Sequence, residues 1–234
     1  MVIGSGMMGK AFSMYQDNSA VLIFASGVSN SRETERIAFE REESALVEAL
    51  RDNADKSFMY FSTCSIADPE AGRTPYVLHK LKMEGLISSA HSRHFIFRLP
   101  QVVGISANRT TLLNYFYDMI IKSEPFTVWK NANRNLIDVE DVVKIAGYII
   151  DNQLCRNSVQ NIAALHYPVL EIVQLLEKIA GVKGVYTLID RGTPFDIDNS
   201  LTLKIADELK IIFDEGYLER TLRKYYALGN TRQT

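Results

Sequence analysis

The chain has 234 residues, 47% of them hydrophobic and 23% charged, with a formal net charge of −2. That is enough chain for one sizeable core, and the near-neutral balance argues against nucleic acid or a membrane surface as the main partner. No apolar run approaches a membrane span, no secretory signal precedes the first motif, and Cys64 and Cys155 lack metal-ligand spacing. The expectation is a cytoplasmic protein in a reducing compartment, without a metal site. Its histidines, His79, His91, His94 and His166, form no ligand cluster in the sequence, and His91 and His94 are expected in a loop before a strand.

In chain order, the apolar Val2-Ile3 leads into Gly4-Ser5-Gly6-Met7-Met8-Gly9, a G-x-G-x-x-G stretch ahead of a helical pattern. Glycines so spaced permit a tight turn, close backbone approach to a pyrophosphate, and helix–strand packing. Gly4, Gly6, Met7, Met8 and Gly9 are therefore candidates for dinucleotide contact. The alternative is a glycine-rich turn with no ligand.

A short helix is expected to about Tyr15, then a buried strand over Ala20–Ala25 ending at Ser26-Gly27. Residues 33–52 read as a long helix with Ile37, Ala38, Ala45, Leu46, Ala49 and Leu50 on its apolar side. A strand at Ser57–Phe61, a helix from Tyr76 to about Ser89 and a strand at Phe95–Leu99 follow. Strand and helix alternate, which implies a Rossmann-like α/β fold: a parallel sheet with helices on both faces. In such sheets ligands bind beyond the carboxyl ends of the strands. The glycine turn, Ala25–Gly27 (with Ala25 and Ser26 as cofactor candidates), Thr63 and Pro100–Val103 all follow strands, so they should meet in one crevice.

The strand at Phe58–Phe61 ends in Ser62-Thr63-Cys64-Ser65, and Pro75 then opens a helix carrying Tyr76 and Lys80. Tyr and Lys at i and i+4 share a helix face, so the ammonium can approach the phenol. A nearby cation favours phenolate and lowers a pKa of about 10, which makes the tyrosine a usable acid/base. A strand-end hydroxyl could hold a substrate oxygen beside it. The bland alternative is a surface Tyr and Lys on an amphipathic helix.

Beyond Gly104 the expected elements are a helix at Thr111–Ile121, a strand at Phe126–Trp129, an extended run Arg134–Val139, and a helix from Glu140 to about Ile150. A strand at Val159–Ala163 and helices at Leu170–Ile179 and Glu215–Tyr226 complete the chain. We expect one domain, with residues 1–104 as the Rossmann-like core. Residues 105–234 partly complete that core and partly form a small C-terminal substrate lobe.

Several stretches together resemble the extended short-chain dehydrogenase/reductase family, in its nucleotide-sugar epimerase/dehydratase branch. They are the opening glycines, Phe61-Ser62-Thr63, Tyr76-x-x-x-Lys80, Arg98-Leu99-Pro100-Gln101-Val102-Val103-Gly104 and Arg134-Asn135-Leu136-Ile137-Asp138-Val139-Glu140-Asp141-Val142. Ile197-Asp198-Asn199-Ser200 and Phe213-Asp214-Glu215-Gly216 look like the branch's closing elements. The resemblance covers most of the chain. It implies Thr63 as the active-site hydroxyl, Tyr76 as acid/base, and Lys80 as ribose ligand and pKa-lowering cation. It also implies Pro100 and Val102 beside a nicotinamide, and Arg134 on a nucleotide diphosphate, a role suited to a bidentate guanidinium. Ser65 and Asn114 are further substrate candidates, although Asn114 also reads as a helix-surface amide. Asp138 reads as a cap on the Glu140 helix.

Three features depart from the family pattern. The glycine spacing is one residue tighter than G-x-x-G-x-x-G. Cys64 and Ser65 stand where dehydratases carry Asp-Glu, which argues against sugar dehydration. Only Gln16–Ser19 separates the first helix from the Ala20 strand, so the stretch that normally reads the adenosine ribose is missing. The resemblance therefore implies a sugar-nucleotide ketoreductase or epimerase that uses NAD or NADP, and a possible homodimer. The alternative is a non-catalytic binding or scaffold protein with a degenerate cofactor site.

Overall fold

The computed structural model describes residues 1–106, 108–109 and 111–227. Its centre is a five-stranded, all-parallel sheet of β1 (Val2–Ile3), β2 (Val21–Phe24), β3 (Ser57–Thr63), β4 (His94–Leu99) and β8 (Ser158–Asn161), in the order β1-β2-β3-β4-β8. The central strands β2, β3 and β4 are near-continuous apolar runs because both faces are covered. Alternation divides them: Val21, Ile23, Met59, Phe95 and Phe97 enter one core, and Leu22, Phe24, Phe58, Tyr60 and Ile96 the other.

The first core is closed by α1 (Met7–Ala11), α5 (Val139–Asp151) and α7 (Ser200–Leu209), through Phe12, Val142, Ile145, Ile149 and Ile205. The second is closed by α2 (Arg36–Asp52) and α3 (Pro75–Ala90), through Leu46, Ala49, Leu50, Met83 and Ile87. α3 begins where Thr74 accepts a hydrogen bond from the Val77 N–H and Pro75 occupies the first turn. This is the α/β arrangement of a parallel sheet with helices on both faces.

A third cluster gathers around α4 (Leu112–Lys122), α6 (Val169–Ala180) and α8 (Tyr217–Tyr226). It includes a three-stranded sheet of β5 (Gln101–Val103), β7 (Asn133–Asp138) and β9 (Leu165–Pro168), and a parallel pair of β6 (Pro125–Trp129) with β10 (Val185–Ile189).

Several elements differ from the sequence expectations. The helix expected to reach Tyr15 is α1 followed by a 3₁₀ turn at Ser13–Tyr15. α2 starts at Arg36, and Ile37 in its first turn is 79% exposed rather than part of the apolar side. His94 opens β4, while His91 caps α3, and both are buried. β5, β9, β10 and α7 were not expected: the strands are short, and three of them lie outside the main sheet, where no long apolar run marks them.

Candidate functional site

The glycine turn is sterically closed on one side and open on the other. Gly4 has φ +128°, and a Cβ there would stand 2.4 Å from the Ala25 carbonyl oxygen. A Cβ on Gly9 would stand 2.2 Å from the Gly4 carbonyl oxygen. Both positions need glycine, one for its backbone angle and contact, the other for contact alone. A Cβ on Gly6 would meet nothing within 4 Å, so that side of the turn is free for close backbone approach. Gly104, just past β5, would bring a Cβ within 2.8 Å of the Met7 sulfur. The turn, Ala25-Ser26 and the segment Pro100–Gly104 therefore adjoin one another at the carboxyl end of the sheet. Met8 and Val102 pack against the first core.

Thr63 ends β3, and its hydroxyl accepts the Ser65 N–H at 3.1 Å. It also neighbours the Tyr76 phenol. Tyr76 is 8% exposed. Burial pushes its phenol up to about 12; the Thr63 hydroxyl opposes that rise, and the Glu42 carboxylate and Cys64 add to it. The pair expected to adjoin a phenol-activating ammonium thus sits otherwise: Tyr76 is raised, not lowered.

Lys80 explains the difference. Its ammonium donates to Glu42 Oε1 at 2.9 Å and to the Tyr60 hydroxyl at 3.0 Å, and lies 5.9 Å from the Tyr76 ring centroid. Lys80 and Glu42 have side chains 2% and 1% exposed. Glu42 also accepts from Tyr60 Oη at 2.6 Å, from the Val28 N–H at 2.6 Å, and faces His79 Nε2 at 3.0 Å. Burial alone would raise this carboxyl; the bonds from His79, Lys80, Tyr60 and Val28 outweigh it and hold Glu42 at about 2.

Sequence reasoning missed Glu42, Tyr60 and His79. One signal was present: Glu42 lies four residues from both Ala38 and Leu46, which puts a carboxylate on the buried side of α2. A second, partly buried pair was also missed. Arg98 clamps Glu84 with bonds of 2.9 and 2.7 Å, and Glu84 accepts from Ser62 Oγ at 2.5 Å.

On the lobe side, Ser65 lies in a 3₁₀ turn, Cys64–Ala67, directly after Thr63. Cys64 is 3% exposed, its thiol is pushed up to about 12 by burial, and it donates to the Arg98 carbonyl at 3.2 Å. Arg134, on β7, donates to the Asn133 carbonyl at 2.6 Å; burial lowers its pKa, and the charges of Asp68 and Glu70 oppose that. The guanidinium therefore faces the loop that follows Ser65, with no carboxylate in ion-pair distance among the described residues. Asn114 is not a surface amide. It is 6% exposed, donates to the Asn108 carbonyl at 2.7 Å and accepts from Tyr226 Oη at 2.8 Å. Those bonds tie α4 to α8. Asp138 caps α5 by accepting the Glu140 N–H at 2.9 Å, and it also accepts from Lys224 and Tyr225.

No curated protein matches this chain. Among solved structures, RMD from Pseudomonas aeruginosa, complexed with NADPH, superposes with a TM-score of 0.72 at 16% identity, over 95% of each chain. UDP-glucose 4-epimerase from Thermus thermophilus, in complex with NAD, gives 0.67 at 16% identity, over 97% of this chain and 82% of that one. UDP-glucuronic acid 4-epimerase from Bacillus cereus, in complex with UDP-glucuronic acid and NAD, gives 0.69 at 18%, over 92% and 76%. At such identities the likeness is one of fold. A family model matches residues 7–163, well over half of the chain, and on that match the chain belongs to the NAD dependent epimerase/dehydratase family.

Proposed function

We propose that the protein is an NAD(P)-dependent oxidoreductase acting on a nucleotide-diphosphate sugar, as a ketoreductase or an epimerase. The observation that carries this reading is the meeting of the glycine turn, Ala25-Ser26 and the Thr63–Tyr76 pair at one end of the parallel sheet. The glycine turn fits a dinucleotide: Gly6 leaves an open backbone face, and Gly4 and Gly9 hold the turn shut behind it. Gly4, Gly6, Met7, Met8, Gly9, Ala25, Ser26, Pro100 and Val102 would line its site, and the nicotinamide would supply hydride exchange.

The chain's own part is binding and proton handling. Thr63 holds the substrate oxygen and Tyr76 exchanges its proton. Lys80 holds the ribose side through the donor left after its bonds to Glu42 and Tyr60. Arg134 and Ser65 take the diphosphate and sugar side, and Asn114 acts on that side by holding α4 in place. Dehydration is disfavoured, because a buried Cys64 thiol at about 12 and a Ser65 hydroxyl do not replace two carboxylates. Val47, Leu78 and Leu81, exposed on α2 and α3, would be covered in a homodimer.

A second reading, a non-catalytic binding protein, draws support from the sealed Lys80–Glu42 pair and from β1 as an edge strand. Fluorescence titration with NADH and NADPH, followed by turnover assays on UDP- and dTDP-linked 4-keto sugars, separates the two. Dinucleotide binding without turnover on any keto or hydroxy sugar nucleotide favours the second.

A further inference from the structure

We propose that Glu42 is a positioning residue that fixes the Lys80 ammonium and balances its charge, so that Tyr76 meets its substrate carrying a proton. This rests on the reading of Tyr76 as the group that exchanges the substrate's proton. The geometry is a closed cage. An ammonium has three N–H donors. Lys80 directs one to Glu42 Oε1 at 2.9 Å and one to Tyr60 Oη at 3.0 Å, while Tyr60 itself donates to the same carboxylate oxygen at 2.6 Å. The other carboxylate oxygen takes the Val28 N–H at 2.6 Å and faces His79 Nε2 at 3.0 Å. Gly27 passes against the pair: a Cβ there would stand 2.7 Å from Lys80 Nζ and 2.8 Å from Glu42 Oε1. The cage therefore lies beside Ala25-Ser26, at the end of β2, with one Lys80 donor remaining.

The charge balance decides what Tyr76 can do. An ammonium alone beside a phenol favours phenolate; an ammonium bonded to a buried carboxylate presents a dipole instead. The groups facing Tyr76 are Thr63 and Tyr60 from β3, Cys64 from the following turn, Glu42 from α2 and Lys80 from its own helix. Glu84, one turn beyond Lys80, is engaged by Arg98. The Lys80 ammonium and the Glu42 carboxylate, 2.9 Å apart, therefore act on the Tyr76 phenol as a balanced pair, and the buried phenol keeps its proton.

A protonated Tyr76 suits one direction of reaction. Its O–H bond breaks as an O–H bond forms on a substrate carbonyl oxygen, and water returns the proton to the phenolate. A hydride donor of the reduced nicotinamide class is the co-reactant. The opposite direction starts from a sugar hydroxyl and needs phenolate at the outset. Glu42 thus biases the site toward reducing a keto sugar nucleotide, within the broader oxidoreductase reading.

The test needs neither cofactor nor substrate. Tyrosinate absorbance is recorded against pH for the wild type and for Tyr76→Phe, and their difference isolates Tyr76. The same difference is taken in a Glu42→Gln background. The expected result is no Tyr76 ionisation below about pH 11 in the wild type, and ionisation at least about tenfold easier, or one pH unit lower, with Glu42→Gln. An unchanged Tyr76 titration in Glu42→Gln overturns the proposal. If Glu42→Gln does not fold, the double variant Glu42→Gln/Lys80→Gln removes both charges together. Tyr76 should then titrate within half a unit of the wild type, and a shift of one unit or more overturns the proposal. Failure to bind NADH or NADPH would instead overturn the oxidoreductase reading and leave these titrations standing.

Discussion

The hydroxyl of Thr63, at the end of β3, neighbours the phenol of Tyr76, at the start of α3, and both residues are more than nine-tenths buried. Two exchangeable protons are thereby set close together at the carboxyl end of the central strands, the end at which the proposed reaction would take place. Tyr76→Phe keeps the ring and its packing and removes the proton. General acid/base catalysis contributes about 10²–10⁴-fold, so turnover should fall by at least that range with thermal stability and dinucleotide affinity nearly unchanged. Near-wild-type turnover on an authenticated sugar nucleotide would remove Tyr76 from the mechanism.

The glycine turn gives a purely steric prediction. A methyl group on Gly9 meets the Gly4 carbonyl at 2.2 Å, and neither backbone can give way without moving β1 or α1. Gly9→Ala should therefore lower stability by about 1–3 kcal/mol, as overpacking does, and weaken dinucleotide binding in parallel. Gly6→Ala meets nothing, so it should leave stability within about 0.5 kcal/mol while still impeding ligand approach. Urea unfolding and NADPH titration of both variants make the comparison. Equal destabilisation by the two would contradict it.

The fold was legible because its signals are local and repetitive. Buried runs such as Val21–Phe24 and Phe58–Tyr60, separated by the long helix α2, specify a parallel sheet almost irrespective of neighbours. The order of Thr63, Tyr76 and Lys80 was equally visible. What Lys80 does was not. Its partner Glu42 is thirty-eight residues away on another helix, and helix periodicity says only that residue 42 faces inward. Asn114 was misread for the same reason: its partner Tyr226 lies 112 residues on. β5 and β9 escaped notice because their partner β7 is far in sequence and each run is short.

Arg134 carries the prediction on the substrate side. With no carboxylate in ion-pair distance among the described residues, its guanidinium has donors to spare for phosphate oxygens. Arg134→Ala should weaken UDP or dTDP binding by about 1.5–3 kcal/mol, the range for hydrogen bonds to charged groups, and leave NADPH binding within twofold. Calorimetry with each ligand measures both. Equal losses for the two ligands, or none for either, would place Arg134 outside the diphosphate subsite.

Glu42 sets a pH dependence of stability. Its folded-state value, about 2, lies below the usual carboxyl value of roughly 4.3, so the folded state favours the ionised form. The stabilisation is fully present above that ordinary value and is lost as pH falls through the interval toward about 2. Glu42→Gln should be markedly less stable than the wild type at pH 7, and the gap should narrow, by an amount on the order of 3 kcal/mol, between about pH 4.5 and pH 2. Urea unfolding at a series of pH values follows the gap directly. A gap that stays constant with pH would mean that Glu42 titrates in the folded protein as it does in the unfolded chain, and that the cage does not favour its ionised form.

The last prediction concerns the adenosine end of the dinucleotide. β1 is an edge strand, paired only with β2 among the described residues. Between α1 and β2 there is room only for the 3₁₀ turn Ser13–Tyr15 and a short link. In dinucleotide-binding folds an acidic residue about twenty positions after the glycines usually contacts the ribose hydroxyl and so separates NAD from NADP. Here those positions, twenty beyond Gly4 to Gly9, run from Phe24 at the end of β2 through Ala25, Ser26, Gly27 and Val28 to Ser29, and none of them is acidic. Pyrophosphate contacts from the Gly4–Gly9 turn would be made by backbone and would not distinguish the two cofactors. We therefore expect weak dinucleotide binding with less than about tenfold preference between NADH and NADPH, or about 1.4 kcal/mol. Calorimetric titration of the purified protein with each, alongside its oligomeric state in solution, decides the matter. Tight binding of one dinucleotide with a hundredfold preference by a monomer would mean that a residue outside this turn reads the 2′ position.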